Sequence, residues 1–158
     1  MTGVGSYWTS DQARALTDHV TAALERAVVR DAVAVAEELA TVVRRYGTVG
    51  LYSMCRGFAH AIKHWAAKAG PDGAQIVGMT IEVEGTTPED LPAEARASLW
   101  AARFTAAYVN HDRAMTEALF LAPYEAGRAE DAKANVAALL AMAADLIRTE
   151  FEEESCDG

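Results

Sequence analysis

The chain has 158 residues, of which 51% are apolar and 23% charged, and its formal net charge is −9. This length fits one domain, or at most two small ones, with a core large enough to fold without disulfides or a structural metal. The acidity argues against nucleic-acid binding by phosphate neutralisation and against an anionic membrane surface. No apolar run reaches the ~20 residues of a membrane span, and residues 1–10 lack the pattern of a secretory signal. We therefore expect a cytoplasmic protein.

The charge is distributed unevenly along the chain. Residues 1–38 carry a net charge of −3, residues 39–71 a charge of +5 without a single acidic side chain, and residues 72–158 a charge of −11. The basic segment either packs beside acidic segments of its own chain or of a sister subunit, or it forms a site for an anion or a partner. We favour the first explanation, because the fields of proteins are often self-complementary.

The first half predicts a flexible arm over residues 1–8 followed by three helices. Thr9 and Gln12 form a capping-box pattern that begins a helix running to about Val29. A second helix is expected over 32–46 and ends at Gly47, which is suited to a left-handed cap, and a third covers 49–69. A single long helix through the first two is the alternative.

Residues 76–84 alternate apolar and polar side chains with period two, which predicts a strand. No other segment offers an obvious partner strand, and a lone strand leaves its backbone groups unpaired. The segment therefore pairs with a hidden short strand, pairs with its copy in a second subunit, or is an extended loop over the helices.

Three further helices are predicted after this segment, over 93–109, 113–121 and 129–151. The break at Asn110-His111-Asp112 places asparagine at a C-terminal cap and aspartate at the next N-cap, and Pro123 follows the end of the fifth helix. Residues 152–158 are expected to be a disordered acidic tail. The predicted fold class is all-α, a bundle or short stack of five to six helices in one domain, 9–151, with a strand-like insertion near residues 76–84.

Each predicted helix carries an apolar stripe that we assign to the core. In chain order the stripes are Leu16, Val20, Ala23 and Ala27; Ala36, Leu39, Ala40 and Val43; Leu51, Cys55, Phe58, Ile62 and Trp65; Trp100, Phe104, Ala107 and Tyr108; Met115, Ala118 and Leu119; and Val136, Leu140, Ala143 and Ile147.

The sequence contains none of the common phosphate-binding, dinucleotide-binding, hydrolase or zinc-protease motifs. His60 and His64 share one helical face through their i, i+4 spacing, a geometry that suits Zn²⁺. Their neighbours Arg56 and Lys63 disfavour a cation and no acidic third ligand is near, so we predict no metal site and no cofactor. The four residues instead predict a solvated basic face, which fits an anion or an acidic partner if it binds anything.

A second candidate site is a pocket lined by Trp65, Trp100, Phe104 and His111, although core filling is the more common role for such aromatic residues. His111 beside Asp112 also has the pattern of a general base oriented by a carboxylate, but a histidine in a turn is the more frequent case. Cys55 lies on a packing stripe and predicts a buried, unreactive thiol.

The segment from Met79 to Ala122, with its ARF-x-x-A-Y motif and polar N-x-D turn, resembles small all-helical actinobacterial proteins of unassigned function, as does YGTVGLYSMCRGFA upstream. The resemblance implies an all-helical fold and a cytoplasmic setting, and it carries no chemistry. We predict a non-enzymatic helical protein that forms a homodimer or binds a protein partner. The alternatives are a sensor-like domain that binds a small molecule or anion and, third, a hydrolase-like enzyme using His111 and Asp112.

Overall fold

The computed structural model describes residues 8–68 and 91–156, and these form five α-helices. The helices are α1 (Ser10–Val28), α2 (Ala32–Lys68), α3 (Ala93–Val109), α4 (Arg113–Glu125) and α5 (Ala129–Cys156). The all-α prediction is confirmed. The described residues contain no strand, and the predicted strand at 76–84 and residues 1–7 of the predicted arm lie outside them.

The N-terminus of α1 forms as its sequence predicts. Thr9 accepts a hydrogen bond from the Gln12 backbone N–H (3.2 Å), and the Gln12 side chain accepts one from the Thr9 N–H (3.0 Å). Trp8, expected to belong to a flexible arm, is instead anchored on α2. Its indole N–H donates to the Ser53 hydroxyl, and its ring packs edge-on against Tyr46.

Three of the corners between helices use one backbone motif, in which a residue just beyond the helix takes a left-handed conformation. These residues are Arg30, His111 and Gly127, with φ of 60°, 58° and 71°. At the second corner, the His111 N–H donates to the Tyr108 carbonyl and the Asp112 N–H to that of Ala107. The expected break at Asn110–Asp112 is confirmed.

An aspartate then begins the next helix at two of these corners. The carboxylate of Asp31 accepts the Ala34 N–H (3.1 Å), and that of Asp112 accepts the Met115 N–H (3.0 Å). Each corner thus satisfies orphan backbone groups of both helices within a few residues, which keeps the connections short.

The predicted second and third helices are joined into one element with a sharp bend. Gly47 has φ 69° and ψ −162° inside α2, a conformation that glycine adopts without the steric cost of a side chain. The positive φ predicted for Gly47 is confirmed, and the non-helical geometry at this residue separates the two predicted helices. Helical backbone resumes directly after Gly47, so the chain changes direction at this residue without an intervening loop.

The helix α1 contacts α2 on both sides of this bend. On the first side, His19 and Glu38 form a hydrogen-bonded pair. On the second side, Gly57 faces Val20 so closely that a Cβ atom on Gly57 would lie 2.7 Å from Val20 Cγ2. Glycine at position 57 therefore sets how near the two helices come.

The predicted stripes of α1, α3 and α5 lie in or against the core, as do Leu51, Cys55, Phe58 and Ile62 of the stripe in α2. Trp65, the last predicted member of that stripe, is half-buried and packs against the exposed Phe151 instead. The stripe predicted for residues 32–46 is wrong. Val42 is fully buried and Val35 and Leu39 pack against the core, whereas Ala36, Ala40 and Val43 are exposed. Most of that predicted core face points to solvent.

The helix α4 also differs from its prediction. Its buried residues are Thr116, Phe120 and Pro123, and the predicted core residues Met115 and Ala118 are exposed. The helix continues past the predicted end at 121 and includes Pro123 in its last turn.

Pro123 is tolerated because the hydrogen bond it cannot make is replaced. Proline lacks the N–H that would reach the Leu119 carbonyl four residues earlier. The indole N–H of Trp100 donates to that carbonyl at 2.8 Å. This contact also fixes the orientation of Trp100 on α3.

The helix α5 packs against α1, α2, α3 and α4. Near its C-terminal end, the guanidinium of Arg148 donates to the carbonyls of Ala27 and Val28 (3.0 and 3.1 Å) and pairs with Asp145. Arg148 thereby satisfies the last carbonyls of α1, a favourable position for a cation. The helix runs five residues beyond its predicted end, to Cys156, so residues 152–156 of the expected disordered tail are helical.

Candidate functional site

The four residues predicted to line an aromatic pocket do not form one site. Trp100 stacks on the buried ring of Phe104, with centroids 5.0 Å apart. Trp65 instead packs against Phe151 of α5 (6.0 Å), and His111 is exposed in the corner after α3. Of the four, Trp100 alone lines the cleft described below.

The predicted pairing of His111 with the Asp112 carboxylate is not formed at the corner between α3 and α4. The Asp112 carboxylate, expected to orient the imidazole, accepts the Met115 backbone N–H and serves as the N-cap of α4. His111 occupies the left-handed position of the same corner. Both residues thus have structural roles that account for their place in the sequence.

The predicted basic face of α2 is exposed at three of its four members, His60, Lys63 and His64, while Arg56 is half-buried. His60 Nδ1 lies 3.0 Å from the Tyr108 hydroxyl of α3, and the Arg56 guanidinium lies over the same ring, 5.9 Å from its centroid. These two residues help to hold α2 against α3. Whether the face binds an anion or a partner stays a prediction.

The bases of the acid-free segment 39–71 form no ion pair with a carboxylate inside residues 8–68 and 91–156. The segment's cations instead lie over aromatic rings in three places: Arg45 over Tyr46, Arg56 over Tyr108, and Lys68 over Trp65. The segment does pack beside α1 and α5, as one of the two explanations of the charge distribution predicted, but in this part of the chain the packing involves no ion pair of its bases.

An apolar stripe of α2 has no partner within the described residues. It consists of Val33, Ala36, Ala40 and Val43, all exposed, with Val33 at 70% and Val43 at 41%. Their spacings of three, four and three residues place them on one side of the helix, the spacing of a two-helix seam. We call this surface the α2 stripe.

Charged residues flank the α2 stripe on one side. Glu37 and Arg44 are seven residues apart, so both lie along the same edge, and both are exposed. Arg44 is held by a hydrogen bond to Thr41 within its own helix (3.3 Å), which keeps its guanidinium near the helix surface.

A cleft of about 180 Å³ lies between α3, α4 and the start of α5. Trp100 and Pro123 form apolar parts of its wall. The polar residues of the wall are Arg96, Arg103, Arg128, Asp131 and Asn135. Arg128 pairs with Asp131 at 3.5 Å. Within the described parts of the chain, Arg96 and Arg103 pair with no carboxylate, so the cleft carries an excess of positive charge.

This cleft was not predicted from the sequence, although part of the pattern that forms it is visible there. Arg96, Trp100 and Arg103 follow i, i+4 and i+7 spacing and therefore share a face of α3. They lie within residues 72–158, whose net charge is strongly negative, so the overall charge of the segment gave no indication of a local excess of arginine. Arg128 comes from the corner before α5, and its approach to this face is a property of the fold.

Comparisons of the chain with protein-family models, with curated proteins and with solved structures gave no match. None of the described helices has an apolar stretch of the length and hydropathy that would cross a bilayer. Within residues 8–68 and 91–156, no three histidine, cysteine, aspartate or glutamate side chains are grouped as metal ligands.

Proposed function

We propose that this chain is a non-enzymatic helical protein that self-associates, with two copies pairing through the α2 stripe. The observation that carries the proposal is the exposure of Val33, Ala36, Ala40 and Val43 along one side of α2. Apolar residues that repeat at spacings of three and four along one side of a helix form the kind of face through which two helices pack. The small side chains at positions 36 and 40 would allow two helices to approach closely.

The flanking charges favour a second copy of the same chain, in antiparallel orientation. A two-fold axis near Ala40 places each residue opposite one whose number sums with it to about 80, so Ala40 faces Ala40 and Ala36 lies near Val43 of the other copy, while Val33 lies at the end of the contact, opposite the bend at Gly47. Glu37 then lies opposite Arg44 of the other copy, and the pair occurs twice. A parallel arrangement places neither charge opposite its complement.

The expected affinity follows from the size of the stripe. Eleven helical residues span about 16 Å, and a helix face is about 10 Å wide, so each copy contributes far less than the roughly 800 Å² of a standard interface. We therefore expect a weak, reversible dimer with a dissociation constant of about 10–500 µM.

Sedimentation velocity over a range of protein concentrations tests the proposal. We expect the weight-average mass to rise from 16.9 kDa towards twice that value as concentration increases. Ala40→Lys, which brings two like charges to the axis, is expected to leave a monomer throughout. The matched control Ala141→Lys adds the same charge at an exposed position of α5 and is expected to dimerise like the wild type.

A charge swap tests the orientation. Glu37→Arg and Arg44→Glu should each weaken the dimer at least tenfold, because each creates two like-charged pairs. The double variant restores both pairs and should recover the wild-type affinity. A wild-type chain that stays monomeric at about 1 mM in low and in high salt would overturn the proposal.

A further inference from the structure

Trp100 presents a fixed apolar surface between two arginines of the same helix. Its indole N–H is bonded to the Leu119 carbonyl and its ring stacks on Phe104, so the side chain is held from two directions. Arg96 and Arg103 lie four residues before and three residues after it, which separates their backbone positions by about 10 Å along α3. The Trp100 ring is thus a rigid apolar surface with a guanidinium group on either side, an arrangement that suits a ligand with two anionic ends.

The electrostatics of the cleft differ from those of the whole chain. The protein carries a formal charge of −9, yet three guanidinium groups and one carboxylate line this cleft. Arg128 is already paired with Asp131. The guanidinium group binds carboxylates through two parallel hydrogen bonds, which makes Arg96 and Arg103 suited to planar carboxylates.

We propose that the cleft binds a small aliphatic dicarboxylate, with Arg96 and Arg103 each holding one carboxylate and the methylene chain lying on Trp100. The amide of Asn135, a residue only 7% exposed at the cleft wall, offers both a donor and an acceptor to a polar substituent on the ligand. This site is separate from the α2 stripe and does not depend on self-association.

The spacing of the two arginines sets the length of the ligand. Their backbone positions are about 10 Å apart along α3, so a compound of about four to six carbons can place one carboxylate at each guanidinium. The cleft, of about 180 Å³ and open to solvent, takes the short methylene chain.

Nuclear magnetic resonance of the indole N–H groups tests the site with glutarate as the probe. The chain has three tryptophans and therefore gives three indole signals, of which Trp100→Phe identifies one. We expect glutarate to shift the Trp100 signal, with a dissociation constant of about 0.1–1 mM, and to leave those of Trp8 and Trp65 in place.

Arginine variants test the assigned roles by calorimetry. Arg96→Gln and Arg103→Gln should each weaken glutarate binding at least tenfold, whereas Arg14→Gln, which removes an exposed arginine of α1, should change it less than twofold. Circular dichroism establishes that each variant is folded. Absence of binding at about 20 mM glutarate, a shift at Trp8 or Trp65 in place of Trp100, equal effects of all three variants, or tighter binding of inorganic phosphate than of glutarate would each overturn the proposal.

Discussion

The left-handed residue after α3 is a histidine, although glycine is the residue that adopts this conformation most readily. His111 has φ of 58° and Arg30 has φ of 60°, whereas the equivalent corner after α4 uses Gly127. A side chain in this conformation costs about 1 kcal/mol or more relative to glycine. The described corners therefore contain two positions at which a substitution by glycine relieves local strain.

We predict that His111→Gly stabilises the fold by about 0.5 kcal/mol, because relief of strain at the corner exceeds the added flexibility of the unfolded chain. Urea denaturation measures the change as a higher midpoint. His111→Ala is the matched control, since it removes the imidazole but retains a Cβ atom at positive φ, and it should not stabilise. A lower midpoint for both variants than for the wild type would show that the imidazole itself supports the corner, and a lower midpoint for His111→Gly than for His111→Ala would contradict the prediction that strain is relieved.

At the scale of the element, Gly57 sets the contact between α1 and the second part of α2. A methyl group there would lie 2.7 and 3.1 Å from the two Cγ atoms of Val20, well inside normal contact distance. Alanine is favoured over glycine within a helix by about 1 kcal/mol, but overpacking costs about 1–3 kcal/mol. The two effects have opposite signs, and the packing term is expected to be the larger.

We predict that Gly57→Ala destabilises the wild-type chain by about 1 kcal/mol and stabilises a Val20→Ala chain, in which the clashing atoms are absent. Chemical denaturation of the four chains of this double-mutant cycle measures the sign in each background. Destabilisation of the same size in both backgrounds would mean that the cost comes from some contact other than Val20.

At the scale of the whole molecule, the thiol of Cys55 reports on the opening of the core. Cys55 is fully buried among Phe58, Met54 and their neighbours, whereas Cys156 is exposed at the end of α5. Burial raises the pKa of the Cys55 thiol far above its ordinary value near 9.0, because the core disfavours a thiolate. The prediction of a buried thiol from its stripe is confirmed.

We predict that an aromatic disulfide reagent labels one thiol per chain in the native state and two in denaturant. Labelling of Cys55 should follow global unfolding, so its rate should fall as stability increases, and Cys156→Ser should leave no fast-reacting thiol. Fast reaction of both thiols in the native chain would contradict the burial of Cys55.

The same group contributes a pH dependence. The pKa of the Cys55 thiol is higher in the folded chain than in the unfolded chain. Its contribution to the free energy of unfolding is therefore fully present below pH 9.0 and is lost as the pH rises further. Above that pH the stability should fall by up to about 1.4 kcal/mol per pH unit from this group. Cys55→Ala should reduce the slope of stability against pH above 9.0, although it lowers stability at neutral pH.

The sequence by itself determined the elements whose signals are local. The capping box at Thr9, the glycine at position 47, the break at Asn110–Asp112 and the buried stripe of residues 51–62 each follow from neighbouring side chains and backbone preferences. Such signals act within one or two turns of helix and need no knowledge of the rest of the fold.

Tertiary structure alone decided which apolar faces are buried and which polar groups meet. Residues 32–46 have two adjacent apolar faces, and packing of the helices buries the one containing Val42 and leaves the α2 stripe exposed. Pro123 remains helical because a tryptophan from another helix supplies the missing hydrogen bond. The arginine cleft likewise exists because a corner and three helices converge, and such convergence depends on contacts between residues far apart in the chain, which no local pattern contains.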